Sequence, residues 1–190
     1  TKLRPQMDQL STDITIAVAK HDFVKTNYRD VIQSSFMLPI DQVISLHEQQ
    51  QFKEAFPLFL HLAQKGDSQA SYYAGLYLYE ASYGIERDEI EALQLFQKSA
   101  VGGDVRGRYM YANACLYGSY YSRREGLRYL KKSADKNYAD SLYMLSQIYL
   151  NGEHGCEIDN DKYEEYLTKA SNNGSEKAQR ELAILKKDKT

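Results

Sequence analysis

A chain of 190 residues suits either one globular domain or several short structural repeats, and length alone does not choose between them. With 24 Lys and Arg against 26 Asp and Glu, the formal charge of -2 supplies no whole-molecule field for nucleic acid or an anionic membrane. No apolar run reaches the roughly 18 to 20 residues of a membrane-spanning helix, and Cys115 and Cys156 alone are too few for a disulfide framework.

The first thirty residues lack a signal-peptide layout. Thr1 is compatible with methionine removal, with a cleaved export signal or with a cloning remnant, so the compartment, cytoplasmic or periplasmic, stays open. Residues 1–40 carry a cap-like Ser11-Thr12-Asp13, then apolar Ile14, Ala17 and Val18, and a later stripe of Phe23, Val24, Tyr28, Val31 and Ile32. This segment reads as one or two helices shielding the first repeat, with a short strand at "ITIAV" as the alternative.

Residues 41–66 predict a helical hairpin turning at Gln49 to Gln51, with Ala55, Phe59 and Ala63 along its second helix. Pro57 is tolerable only in a first turn, so that helix is expected to start between Phe52 and Phe56.

Tyrosine is the unusual residue: there are 17 and no Trp, and only Tyr28 precedes residue 70. The asymmetry has a cause in repetition. The stretches 61–77, 98–114 and 132–148 superimpose without gaps, and 169–184 matches more loosely, at spacings of 37, 34 and 37 residues. Tyr72, Tyr109 and Tyr143 coincide, as do Ala63, Ala100 and Ala134, and the set Gly75, Ala112 and Ser146. Each unit has the length of a helix-turn-helix. First helices carry Ala70, Ala74, Tyr77 and Leu78, then Tyr111 and Cys115, then Leu145 and Tyr149; second helices carry Ala92, Leu93, Phe96 and Ala100, then Leu127, Leu130 and Ala134, then Leu167 and Ser171. Small residues at the recurring crossing allow close helix packing. "KGD", "GGD" and "NNG" supply the glycine or asparagine favoured at a left-handed helix terminus.

"EHGCEIDND" (153–161) offers hard and soft metal ligands within nine residues. Aligned on "SYGIERDEI" (82–90), it places Gly155 on Gly84, Cys156 on Ile85 and Asp159 on Asp88. Cysteine in an isoleucine position reads as a small buried hydrophobe, Asp159 reads as a helix cap, and His154 with its carboxylates reads as a solvated loop. No metal and no cofactor is expected.

These residues resemble the Sel-one-like repeats, relatives of the tetratricopeptide repeat. Ala70, Tyr72, Gly75, Gly84, Ile85, Asp88, Ala92, Phe96, Lys98 and Ala100 match the family pattern in the first full copy. Tyr143, Tyr149, Gly152, Gly155, Asp159, Lys162, Leu167, Lys169 and Ala170 match it in the third. The middle copy is three residues shorter, with "SYYSRREG" (119–126) in place of the usual loop, and Tyr163 stands where the family prefers alanine, which is expected to open the last hairpin. The cysteine pairs of one branch of the family are missing. The resemblance implies an all-α, right-handed solenoid, with a tetratricopeptide-like hairpin at 41–66, three repeats at 67–174 and a capping helix at 175–190. On that cap Arg180 and Glu181 replace apolar residues, a polar outer face for a terminal repeat.

The resemblance further implies that first helices line a concave side. The expected partner-binding set is then Tyr72, Tyr73, Leu76 and Tyr79; Tyr109, Met110, Asn113 and Tyr117; and Tyr143, Met144 and Gln147, with Leu116 and Asn151 beside them. Aromatic and methionine side chains give large contact area for a protein or peptide segment. For the strictly recurring Tyr72, Tyr109 and Tyr143, packing between repeats is an equal alternative. Tyr120 and Tyr121 form a second candidate edge, and Arg124, Arg128 and Lys131 form a basic stripe that is either a solvated face or a contact for an acidic partner.

No nucleophile with a base, phosphate loop or paired acids appears, and His21, His47, His61 and His154 lie in separate segments, so the chain is read as no enzyme. Three roles stay open: an interaction scaffold, a bacterial immunity protein that occludes a toxin or effector enzyme, and an accessory subunit of a cell-envelope complex. Fold does not decide among them.

Overall fold

A computed structural model describes residues 38–81, 84–118 and 122–188. The expectations for 1–37 and for Tyr120 and Tyr121 lie outside the described residues. Among those described there are nine α-helices and no strand: α1 (Ile40–Glu48), α2 (Phe52–Gln64), α3 (Ser68–Glu80), α4 (Glu89–Gly102), α5 (Val105–Tyr117), α6 (Arg123–Ala134), α7 (Ala139–Asn151), α8 (Asn160–Asn172) and α9 (Glu176–Asp188). A short 3-10 turn, Glu153–Gly155, comes after α7. The helices form two compact units, one ending at Gly102 and the other beginning at Gly103.

In the first unit each helix packs on the next. Phe56 stacks on Tyr77 at 5.5 Å between ring centroids, and Tyr73 stacks on Phe59 at 4.7 Å. His47 Nδ1 and the Tyr77 hydroxyl share a hydrogen bond of 3.0 Å within this cluster. Full burial of such rings contributes about 1.5–3 kcal/mol each. Between α3 and α4 the crossing is tight because Gly75 has no side chain: a β-carbon there would lie 2.8 Å from Phe96 Cε1.

Helix α2 departs from the pattern of the other second helices. Every residue from Ala55 to His61 is buried, so the middle of the helix is covered on all sides. Pro57, Leu60 and His61 stand where α4 has Gln94, Gln97 and Lys98, α6 has Arg128, Lys131 and Lys132, and α8 has Glu165, Thr168 and Lys169, all of them exposed. Pro57 is the sixth helical residue, not part of the first turn, while the helix starts at Phe52. Its ring is buried, at the loss of one backbone donor.

The second unit repeats one local design. Asp104 caps α5 by accepting from the backbone N–H of Arg106 and Gly107, as Asp67 caps α3 in the first unit through Ala70. Asp88 and Asp159 accept from Glu91 and Lys162 at the starts of α4 and α8. The matching backbone bonds Asp88 N–H to Leu78 O and Asp159 N–H to Tyr149 O, 3.0 and 2.9 Å, seat the two loops alike. Gly66, Gly103 and Gly174 adopt φ of 94°, 100° and 95° at the turns between repeats, and Asn137 adopts 58° at the fourth.

Four expectations need correction. Tyr163 does not open the last hairpin: α7 and α8 pack as extensively as the other pairs, and the buried Tyr163 ring directs its hydroxyl to Glu181. His154 is not solvated, its side chain being only 8% exposed beneath Tyr117. Cys156 is half-exposed although Ile85 is buried; the ring that packs from this turn is that of His154, at φ 53°, against Tyr117 of α5. Glu181 does not face water as part of a polar end: it turns inward to serve α7 and α8.

Candidate functional site

On α3 the expected contact positions fall at i, i+1, i+4 and i+7, beside the inward-facing Ala70, Ala74, Tyr77 and Leu78; on α5 the matching series from Tyr109 reaches Leu116 at i+7 and Tyr117 at i+8. In the first unit this stripe is Tyr72, Tyr73, Leu76 and Tyr79. Tyr72 sets its edge against Tyr73 at 5.2 Å, while Tyr73 commits one face to Phe59 and lies 5.2 Å from His47. Leu76 is half-buried and Tyr79 is exposed, with Phe96 at its edge and the Arg87 guanidinium 5.6 Å from its ring centroid.

In the second unit Tyr109 lies against Tyr138 at 5.6 Å. Met110, Asn113 and Met144 are half-exposed. Leu116, expected on this side, is 2% exposed and fills the space over Gly126, where a β-carbon would come within 2.5 Å of Leu116 Cγ. Tyr117 is the most exposed aromatic residue of the stripe, at 52%. Its hydroxyl nevertheless donates to Glu153 Oε2 at 2.7 Å, and its ring meets the His154 ring edge-on at 4.7 Å. Asn151 donates to the other Glu153 oxygen at 3.3 Å.

Tyr143 and Gln147 are drawn together on one acceptor. The Tyr143 hydroxyl donates to Glu181 Oε2 at 3.0 Å, and Gln147 Nε2 reaches both carboxylate oxygens at 3.0 and 3.1 Å. Tyr163 completes the group at 2.7 Å. Burial, reinforced by the adjacent carboxylates, pushes the phenols of Tyr117, Tyr143 and Tyr163 up, so they remain neutral donors. Glu153, His154 and Glu181 are outside the expected set. They lie 34 to 38 residues from the tyrosines and glutamine of the first helices that they hold, and no local spacing reveals such a pairing.

Cys115 is buried, and burial pushes its thiol up, the reverse of an activated thiolate. Among the described residues no three His, Cys, Asp or Glu side chains converge as a metal site would require, and no helix is long and apolar enough to cross a membrane.

Solved structures that share the fold include the following two. A Sel1 repeat protein from Oxalobacter formigenes is 24% identical, with a TM-score of 0.59 over 64% of this chain and 50% of that one. A protective antigen present in uropathogenic Escherichia coli strains, displaying an SLR fold, is 20% identical, with a TM-score of 0.62 over 75% of this chain and 33% of its own. This chain therefore spans half or less of the length of either protein. The Sel1 repeat pattern itself matches residues 68–104, 105–138 and 139–175, three consecutive copies that begin with α3, α5 and α7. With more than half of its length in those copies, the chain belongs to the Sel1 repeat family.

Proposed function

We propose that this chain is a non-catalytic scaffold that holds a segment of a protein partner against the open side of the first helices of its second unit, α5 and α7. Sel1 repeat proteins are generally protein–protein interaction scaffolds, which supports the class of function. The observation that carries the specific reading is Tyr117. Half of its surface is open, yet Glu153 and His154 fix its hydroxyl and its ring. An aromatic side chain already ordered before contact loses little further entropy on binding, which is how anchor residues at interfaces act. Met110 and Met144, at matching positions of successive repeats, add adaptable apolar area.

The test is affinity capture with the intact chain and with a Met110→Ala, Tyr117→Ala, Met144→Ala variant whose helicity is checked by circular dichroism. A protein retained by the wild type and lost by the folded variant supports this surface as the site. Equal retention by both removes the reading. If the captured protein is a toxin or effector enzyme whose activity the chain suppresses, the scaffold acts as an immunity protein; if it is a component of an envelope complex, the chain is an accessory subunit.

A further inference from the structure

We propose that the exposed ridge of α6, Arg124, Arg128 and Lys131, docks an acidic segment of a second protein, on a face separate from the first-helix surface. The three residues succeed one another at i, i+4 and i+7 and span roughly 10 Å of helix. Gly126, Tyr129, Leu130, Ser133 and Ala134 face the core on the opposite side.

Pairing distinguishes this ridge from four other cations of the second unit. Arg106 has Asp104 at 2.7 Å, Lys162 has Asp159 at 2.8 Å, Lys169 has Glu165, and Arg180 has Glu176 at 2.9 Å. Their charges are largely answered within the chain. On α6 only Arg128 has such a partner, Glu125 at 3.1 Å, and Glu125 also receives the Tyr111 hydroxyl. Arg124 and Lys131 are exposed with no acid within 4 Å among the described residues. The Arg128 guanidinium lies 4.7 Å from the Tyr129 ring centroid, which holds the middle of the ridge in place.

The ridge is also unlike its counterparts. The same positions are Ile90, Gln94 and Gln97 on α4, and Asp161, Glu165 and Thr168 on α8. Repeat geometry alone therefore does not require cations here. A solvated helix face needs only a mixture of charges, and α8 has one. The uncompensated positive potential on α6 is complementary to carboxylates, and such complementarity governs the rate and selectivity of docking. A short acidic peptide segment fits better than a phosphate polymer. The whole chain carries -2, and a polymer laid along successive second helices would meet Asp161 and Glu165 one repeat on. Together with the first-helix surface, the ridge would let one chain join two proteins.

The probe is a fluorescent octaglutamate peptide titrated with the full chain and monitored by anisotropy. Arg124→Gln with Lys131→Gln should weaken binding by about tenfold, whereas Lys162→Gln with Lys169→Gln, which removes paired cations on α8, should change it less than about twofold. Binding should also fall as salt shortens the screening length from about 10 Å to about 3 Å. Both variants alter exposed side chains, and circular dichroism verifies their fold. The proposal is overturned if the wild type does not bind the peptide, if the α6 variant binds as well as the wild type, or if the α8 variant loses as much. Tighter retention on phosphatidylserine vesicles or duplex DNA than on the peptide would equally overturn it, by making the ridge a polyanion site.

Discussion

The phenol of Tyr163, on α8, donates to Glu181 Oε1 at 2.7 Å on α9, and the same carboxylate receives Tyr143 and Gln147 from α7. One side chain thus ties three helices at the end of the second unit. The outer side of α9 is exposed, with Ile184 60% open, so this carboxylate and the buried Ala178 lie on the side that attaches it. Replacing Glu181 with Ala should cost about 2 kcal/mol, since hydrogen bonds to a charged group are worth about 1.5–3 kcal/mol and water can reach part of the vacated site. Hydrogen exchange should report the loss chiefly in residues 176–187. Glu181→Gln keeps an acceptor oxygen and should cost about half as much; equal protection of α9 in both variants and the wild type would refute the tie.

His61 is buried on α2, and neither ring nitrogen has a hydrogen-bonding partner among the described residues. Burial, and secondarily the charge of Lys65, lowers its pKa from the usual 6.5. The folded chain therefore binds fewer protons than the unfolded chain just below that value. The stability supplied by the neutral ring is fully present above about pH 6.5 and is lost as pH falls from there towards the lowered folded value. His47 shifts in the same direction, its burial outweighing Glu48 and Glu80. Urea midpoints should drop between about pH 7.5 and pH 5.5, and His61→Leu should reduce that drop. The same substitution should raise stability at neutral pH by about 1–3 kcal/mol, the usual penalty of an unsatisfied buried polar group.

Gly75→Ala should destabilise the first unit. The new β-carbon would lie 2.8 and 2.9 Å from Phe96 Cε1 and Cδ1, and Phe96 is itself 1% exposed and cannot swing away. Overpacking of this kind costs about 1–3 kcal/mol, more than the roughly 1 kcal/mol that alanine gains in helix propensity. Thermal unfolding distinguishes the two signs: a raised midpoint would mean that α3 and α4 separate without penalty.

Asp104→Ala removes the acceptor for the N–H groups of Arg106 and Gly107 together with the partner of the Arg106 guanidinium and should cost about 1–2 kcal/mol, while Asp104→Asn, which keeps a capping oxygen but gives up the charge facing Arg106, should cost about half as much. Tyr138 occupies the matching place before α7 and makes no capping bond, so Tyr138→Ala should show no cap loss. A larger effect of Tyr138→Ala than of Asp104→Ala, read from urea midpoints, would place the weight at that turn on the Tyr109 contact instead.

The sequence by itself determined the all-α repeat fold. Its spacings of 37, 34 and 37 residues, its small residues at 75, 112 and 146, and its capping aspartates act through local backbone geometry, which is written in neighbouring residues. The inward faces were legible for the same reason: Ala70, Tyr77, Tyr111, Cys115 and Leu145 keep to the helical period and are buried. Tertiary structure decided what those local rules do not reach. Only the fold brings Glu181 under Tyr143, puts Glu153 and His154 against Tyr117, and covers the outer side of α2 where related helices are open. Such contacts join residues 18 to 38 positions apart and depend on the direction in which each side chain leaves its helix. Periodicity states which face a residue occupies. What stands opposite that face is fixed only when the helices pack.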